Sequence, residues 1–244
     1  MSVEFEKKVA LVTGGARGIG LSIAEALVRE GASVFICGRN PATLKLALGQ
    51  LHSFRGESGA AGTVADVRRY QECRSVVQQA ATRFGRLDIL VNNAGVGIFK
   101  PVDQLTAEEW DATIQTNLSS VFYCSREAVP VMRQNGGGHI FNISSLLAIH
   151  GIAGGSAYCA SKFGVNGLAE AMMKDVRYDG VRVSTVRPGS VATDFAGSAG
   201  SNRHESWKLS GKDIAQAVID IYRYPGHALV SRVEIRPAQP PRKA

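Results

Sequence analysis

Seven short apolar runs, separated for the most part by amphipathic stretches long enough for a helix, leave few folds open to this chain. The runs are Val9–Val12, Ser33–Cys37, Gly62–Ala65, Leu87–Asn92, His139–Ile143, Arg182–Val186 and Leu229–Ile235. They are rich in Val and Ile, and several lack polar alternation, which is the pattern of strands buried on both faces. The helical stretches are Ile19–Glu30, Pro41–Phe54, Arg69–Phe84, Ala107–Gln134, Ala157–Asp179 and Gly211–Arg223. Strand and helix in repetition predict right-handed βαβ units. The expected fold is α/β: one doubly wound domain over residues 1–244, with a seven-stranded, mostly parallel sheet and helices on both faces. No Pro/Ser-rich linker and no repeat of fixed period divides the sequence. A ligand is expected beyond the carboxyl ends of the strands, near the point where the strand order reverses.

Composition narrows the function classes. With 244 residues, 45% hydrophobic and 20% charged, the chain is ordinary globular material, not a disordered, collagen-like or coiled-coil protein. At this length it can bury roughly 70–75% of its unfolded surface, so it needs no disulfide or metal staple. No run reaches about 18 apolar residues, so no membrane contact is expected. Residues Met1–Val12 carry mixed charges and no long apolar stretch, unlike a signal peptide, so a cytoplasmic protein is expected. Cys37, Cys73, Cys124 and Cys159 form no C-x-x-C pair and read as reduced, buried residues. The five histidines show no ligand spacing, and no metal is expected. The net charge of +7 raises nucleic acid as a partner. Without a basic stripe interleaved with aromatics, a small-molecule partner is the better expectation.

Local signals mark several helix ends. Thr106 followed by Glu109 makes a capping box, and Pro41 suits a first helical turn. Pro130 should kink its helix or end it early. Gly136-Gly137-Gly138 then turns the chain into the next strand.

The first strand runs into Thr13-Gly14-Gly15-Ala16-Arg17-Gly18-Ile19-Gly20. Glycines at 14, 18 and 20 let the backbone turn sharply and approach a pyrophosphate at a helix N-terminus. The bare motif is weak, since glycines also mark ordinary turns; its place between strand and helix points to a nucleotide. Strand two ends Cys37-Gly38-Arg39-Asn40, with no carboxylate to bind a ribose 2′-hydroxyl. Arg39, with Arg17 nearby, suits a 2′-phosphate instead, unless both are solvated surface residues.

A second constellation follows strand five. Ser144 and Ser145 end it, and Tyr158 and Lys162 stand at i and i+4 on one helix face. An unperturbed tyrosine has a pKa of about 10, and a nearby ammonium lowers it. The three residue types suit proton exchange with a substrate oxygen.

Taken together these motifs resemble the short-chain dehydrogenase/reductase family. Thr13-Gly14 with Gly18 and Gly20 matches its cofactor motif, Asn92-Asn93-Ala94-Gly95 the motif after strand four, and Pro188-Gly189 the turn after strand six. Asn117, Ser145, Tyr158 and Lys162 match its catalytic tetrad. The match covers about residues 8–195. The resemblance implies a Rossmann-type fold, with a cofactor half at about 1–135, a catalytic and substrate half at 136–236 and a basic Pro-containing tail at 237–244. It implies a carbonyl reductase of the NADP(H)-preferring type. Tyr158 would be the general acid and base, and Ser145 would hold the substrate oxygen. Lys162 would hold the nicotinamide ribose and lower the tyrosine pKa, and Asn117 would order a water linking Lys162 to solvent. Cofactor contacts would come from Thr13, Gly14, Arg17, Gly18, Ile19, Gly20 and Arg39, then Asp66 and Val67 at the adenine and Asn93, Ala94 and Gly95 along the cofactor. Tyr158, Lys162, Pro188, Gly189, Val191 and Thr193 would complete them at the nicotinamide end.

Plainer readings stand beside these. Asn92–Gly95 suits a strand-ending turn, Asp66 a helix N-cap, and Asn117 a polar residue inside a helix. The substrate residues expected besides Ser145 are Leu147, His150 and Trp207, with Ile98 and Phe99 as further wall candidates. His150 also suits a solvent-facing loop, and Trp207 simple surface packing. The Gly/Ser-rich segment 195–211 suits a polar lid. The chain departs from many family reductases at its end. Where they carry a V-D-G-G signature, this one reads Val233-Glu234-Ile235-Arg236-Pro237. A homodimer or homotetramer is expected, with Gly164 and Gly167 allowing close helix approach. The competing functions are a 3-oxoacyl thioester reductase and, in another class, a non-catalytic NADP(H)-binding sensor.

Overall fold

The computed structural model describes residues 5–193, 195 and 206–241. Its strands are β1 (Val9–Thr13), β2 (Ser33–Gly38), β3 (Ala60–Val64), β4 (Ile89–Asn92), β5 (Gly138–Ile143), β6 (Val181–Pro188) and β7 (Arg232–Ile235). They form one sheet in the order β3-β2-β1-β4-β5-β6-β7, with every pair parallel. The helices are α1 (Gly18–Arg29), α2 (Pro41–Arg55), α3 (Tyr70–Phe84), α4 (Ala107–Ile114), α5 (Ser120–Gln134), α6 (Ser156–Val176) and α7 (Gly211–Tyr222). The chain winds outward from β1 in one direction and from β4 in the other. The crevice between the ends of those two strands is therefore the natural ligand position.

The missing polar alternation has a direct cause. All five residues of β1 are buried. Ala10 and Val12 pack with Ile23 and Leu27 of α1, Leu44 and Leu51 of α2 and Val218 of α7. Val9 and Leu11 pack on the other face with Val76 and Val77 of α3, Ala128 and Met132 of α5 and Val176 of α6. β7 differs. Among the described residues it pairs only with β6; it starts at Arg232 rather than Leu229, and alternates exposed and half-buried residues as an edge strand does. Its end is tied back to the site, since Gly189 N donates to Ile235 O at 2.8 Å.

Two helix expectations are corrected. The stretch 107–134 is not one helix. α4 and α5 are joined by a wide π turn at Gln115–Ser119, a feature that often marks functional sites. Pro130 does not end α5, which runs on to Gln134. Positions 126 and 130 both lie on the exposed face, so the carbonyl that loses its partner is open to water.

At the opposite end of the sheet from the crevice, His139 is 1% exposed and stacks on Phe141 at 4.0 Å. Its Nε2 lies 2.8 Å from Ser184 Oγ, which itself donates to Val230 O, so Nε2–H is the donor. Nδ1 is buried without a partner. Burial, with Arg182 nearby, pushes the imidazole well below its ordinary pKa. The unfolded chain therefore takes up a proton below about pH 6.5 that the fold excludes. Stability should be full above that pH and decline as pH falls from about 6.5 towards 5. A His139→Gln variant should show a flatter acid limb in thermal melts; an equally steep limb would contradict this origin.

Candidate active site

The turn after β1 is shaped by close approaches. Gly14 has φ +63°, and a Cβ there would stand 2.9 Å from Ala94 Cα; Gly18 has φ +56°. Arg17 is the N-cap of α1 yet its side chain makes no capping bond, and the first turn holds no acidic residue. The first N–H groups of α1 and its positive dipole end are thus presented to the crevice, which makes an anion site.

Thr13 and Asn93 lock the two sides of the crevice together. Thr13 Oγ1 accepts from Asn93 N at 3.0 Å and Ala94 N at 3.1 Å, and donates to Val91 O. Asn93 Nδ2 donates to Thr13 O at 3.0 Å and Gly14 O at 3.2 Å. Arg17 and Arg39 both line the cleft. Asn40 caps α2, accepting from Ala42 N and Thr43 N. Beneath, burial pushes the Cys37 thiol up to about 12, so it is inert. Asp66 and Val67 also line the cleft. Asp66 is not a helix N-cap; that position belongs to Arg69. Its carboxylate accepts from Arg68 N at 3.1 Å and pairs with the Arg68 guanidinium at 2.5 Å, which holds it below the usual carboxylate range.

Tyr158 and Lys162 converge with Ser145 where β5 ends. Tyr158 is 7% exposed and Lys162 4%. Ser145 Oγ accepts from Leu147 N at 3.1 Å and is hydrogen-bonded to the Tyr158 side chain. Ser144 turns away and donates to Asn166 Oδ1 at 3.4 Å. Lys162 Nζ donates to Ile143 O at 2.9 Å and lies 5.8 Å from the centre of the Tyr158 ring. Burial brings Lys162 down to about 8. The tyrosine differs from expectation. Burial raises its pKa, and the bond to Ser145 only partly opposes this.

Asn117 lies in the π turn between α4 and α5. It is 1% exposed, with Oδ1 accepting from Val96 N at 2.8 Å. Its Nδ2 donates to Val96 O at 2.9 Å and Ser161 Oγ at 3.1 Å. The amide therefore pins the segment after β4 to α6.

These residues surround one cleft of about 1270 Å³. Gly14, Arg17, Gly18, Ile19, Arg39, Asp66, Val67, Asn93, Ala94 and Gly95 line it, as do Ser145, Leu147, Tyr158, Lys162, Pro188, Gly189, Val191 and Thr193. Thr13, Gly20 and Asn117 stand behind the wall and hold it in shape. His150 and Trp207 do not line the cleft, and neither does Ile98. His150 is exposed beyond the 3-10 turn that Ser145 caps, and the Trp207 ring lies beneath the Lys208 ammonium. Asn202, Arg203, His204 and Glu205 lie outside the described residues. Lining residues not singled out from the sequence include Phe195, Ser190 and Lys208. Lys208 arrives through a long-range bridge of Val191 to Leu209, which no local pattern signals. Among the described residues, no three His, Cys, Asp or Glu side chains could hold a metal, and no helix is long and apolar enough to cross a membrane.

Comparison with known proteins agrees with this geometry. A family model described as short chain dehydrogenase matches residues 8–204. An uncharacterized oxidoreductase of Staphylococcus saprophyticus is 33% identical over 235 residues, covering 96% of this chain and 99% of the relative. A 3alpha-hydroxysteroid dehydrogenase of Mediterraneibacter gnavus is 35% identical over 195 residues, covering 80% of this chain and 78% of its own. The structure of an alcohol dehydrogenase from the archaeon Thermococcus sibiricus, complexed with 5-hydroxy-NADP, superposes with a TM-score of 0.88 at 29% identity. That superposition covers 97% of this chain and 99% of the other. With the family model spanning most of the sequence and a relative above 30% identity along nearly all of it, the chain belongs to the short chain dehydrogenase family of oxidoreductases.

Proposed function

We propose that this protein is an NADP(H)-dependent reductase of ketones or aldehydes. The observation that carries the reading is the meeting of Ser145, Tyr158 and Lys162 at one end of the cleft whose other end holds Arg17 and Arg39. The cleft suits the cofactor. The uncapped start of α1 offers N–H groups to a pyrophosphate, and at Gly14 a Cβ would crowd Ala94, so glycine keeps the turn open there. Arg39 and Arg17 would hold the 2′-phosphate, Asp66 and Val67 the adenine, and Lys162 the nicotinamide ribose. Val191 and Thr193 would hold the carboxamide.

When bound, the nicotinamide supplies the hydride. The chain supplies the rest. Ser145 Oγ and Tyr158 Oη hold the carbonyl oxygen. Because burial raises its pKa, Tyr158 stays a neutral phenol at neutral pH and has a proton to give to that oxygen. In the alcohol-oxidising direction the phenolate is required, so oxidation is favoured at alkaline pH.

The cofactor choice is tested at Arg39. Hydrogen bonds to a charged group are worth about 1.5–3 kcal/mol. Arg39→Ala should therefore weaken NADPH about tenfold or more and NADH far less. Equal affinities of the unaltered protein for the two cofactors in titration calorimetry would contradict the assignment.

We also propose self-association through α5 and α6, where Phe122 and Phe163 are each 47% exposed. Gly167 lies on open surface, whereas a Cβ at Gly164 would stand 2.7 Å from Leu118 of the same chain. Gly167 alone is thus free for close approach by a second copy. Light scattering at micromolar concentration should give a dimer or tetramer mass; a monomer mass would refute this.

A further inference from the structure

We infer that the substrate is a flat, uncharged aromatic or polycyclic ketone whose ring system rests on Phe99 and Phe195. This depends on Tyr158 being the proton donor. The Phe99 ring centre lies 5.3 Å from that of Tyr158, tilted by 46°. The Phe195 ring centre lies 5.8 Å away, edge-on at 63°. Both line the cleft, and they are 43% and 37% exposed, whereas Phe5, Phe35 and Phe141 are buried in the core. Two phenyl rings thus line the cleft against the tyrosine that touches the reacting oxygen.

Position converts this into selectivity. A carbonyl oxygen within bonding reach of Tyr158 and Ser145 places its substituents in contact range of both phenyl rings. Ring pairs are favourable at centroid separations of 4.5–7 Å in offset or tilted geometry, beyond the area they bury. A flat ring fused to the carbonyl carbon can make such pairs with Phe99 and Phe195. A saturated group of the same skeleton gains only burial, and a flexible chain also loses torsional freedom. Val96, Leu146 and Leu147 extend the apolar wall.

Charge points the same way. Among the described lining residues, Arg17, Arg39 and Asp66 belong to the glycine turn and the ends of β2 and β3. Lys162 is bonded to Ile143 O, and the Lys208 ammonium lies over the Trp207 ring, 5.6 Å from its centre. Among the described residues, no carboxylate or guanidinium is placed beside Tyr158 to recognise a charged substrate.

The test compares 1-tetralone with 1-decalone, which share a bicyclic skeleton and differ in one aromatic ring, and adds a linear 3-oxoacyl thioester. Turnover by the wild-type protein with NADPH should favour 1-tetralone over both by at least about tenfold in kcat/KM. Calorimetry with NADP⁺-loaded Tyr158→Phe protein, which reports binding without turnover, should show the same order for the two ketones. Phe99→Leu and Phe195→Leu should each narrow the tetralone preference in both assays. Equal binding of 1-tetralone and 1-decalone, or a preference that survives both substitutions, would overturn the inference even with reduction intact. Higher kcat/KM for the thioester would do so as well. If the binding preference holds and depends on both phenylalanines while no ketone is reduced, the ring site stands and the reductase reading falls.

Discussion

Replacing Tyr158 with phenylalanine is expected to lower carbonyl turnover at least about 100-fold while NADPH affinity stays nearly unchanged. The substitution removes one oxygen, and the ring keeps its contacts with Phe99 and Phe195. In the proposed cofactor site the ribose contacts belong to Lys162, so the cofactor would lose nothing directly. Lys162→Ala should damage both properties, because it removes the proposed ribose contacts and the buried ammonium bonded to Ile143 O. The double variant should be barely worse in turnover than the poorer single one, since the two residues act as a unit. Fluorescence titration of NADPH and absorbance at the nicotinamide band, run on all three variants, separate the effects. Substantial turnover in Tyr158→Phe would place the acid elsewhere.

Gly20→Ala should have the second largest effect, although Gly20 does not line the cleft. A Cβ at position 20 would fall inside van der Waals contact with both Gly14 O and Asn93 Nδ2. The first is backbone and the second is fixed by its bonds to Thr13 O and Gly14 O. Neither can move without opening the lock between β1 and β4. Overpacking of this kind costs about 1–3 kcal/mol. The expected outcome is a lower Tm together with at least about tenfold weaker NADPH binding, because the displaced atoms shape the anion site. A normal melt with normal affinity would show that the turn yields more easily than its contacts indicate.

The sheet was legible in the sequence because most of its strands are buried on both faces; β1 shows no polar residue until Thr13. The glycine turn and the Tyr158–Lys162 pair were legible because each is a local pattern. What stayed hidden depends on distant partners. The π turn that splits the long helix holds Asn117, whose bonds reach Val96 and Ser161, 21 and 44 residues away. Lys208 joins the cleft through pairing between the segments at 191 and 209. Helix spacing correctly put Lys162 beside Tyr158, yet it could not show that the ammonium turns to Ile143 O. The expectation of a lowered tyrosine pKa failed because burial of the phenol outweighs its bond to Ser145. At Gly164 the close neighbour within the chain, Leu118 of the π turn, was equally hidden.

The most direct test of the reductase reading is NADPH oxidation by the wild-type protein, followed at the nicotinamide band, against ketones, diketones, quinones and acyl thioesters. The expected result is oxidation driven by at least one ketone, faster with NADPH than with NADH, and abolished by Tyr158→Phe. Tight NADPH binding with no oxidation by any carbonyl compound would contradict it, and would mark the protein as a binder of the cofactor rather than a user of it.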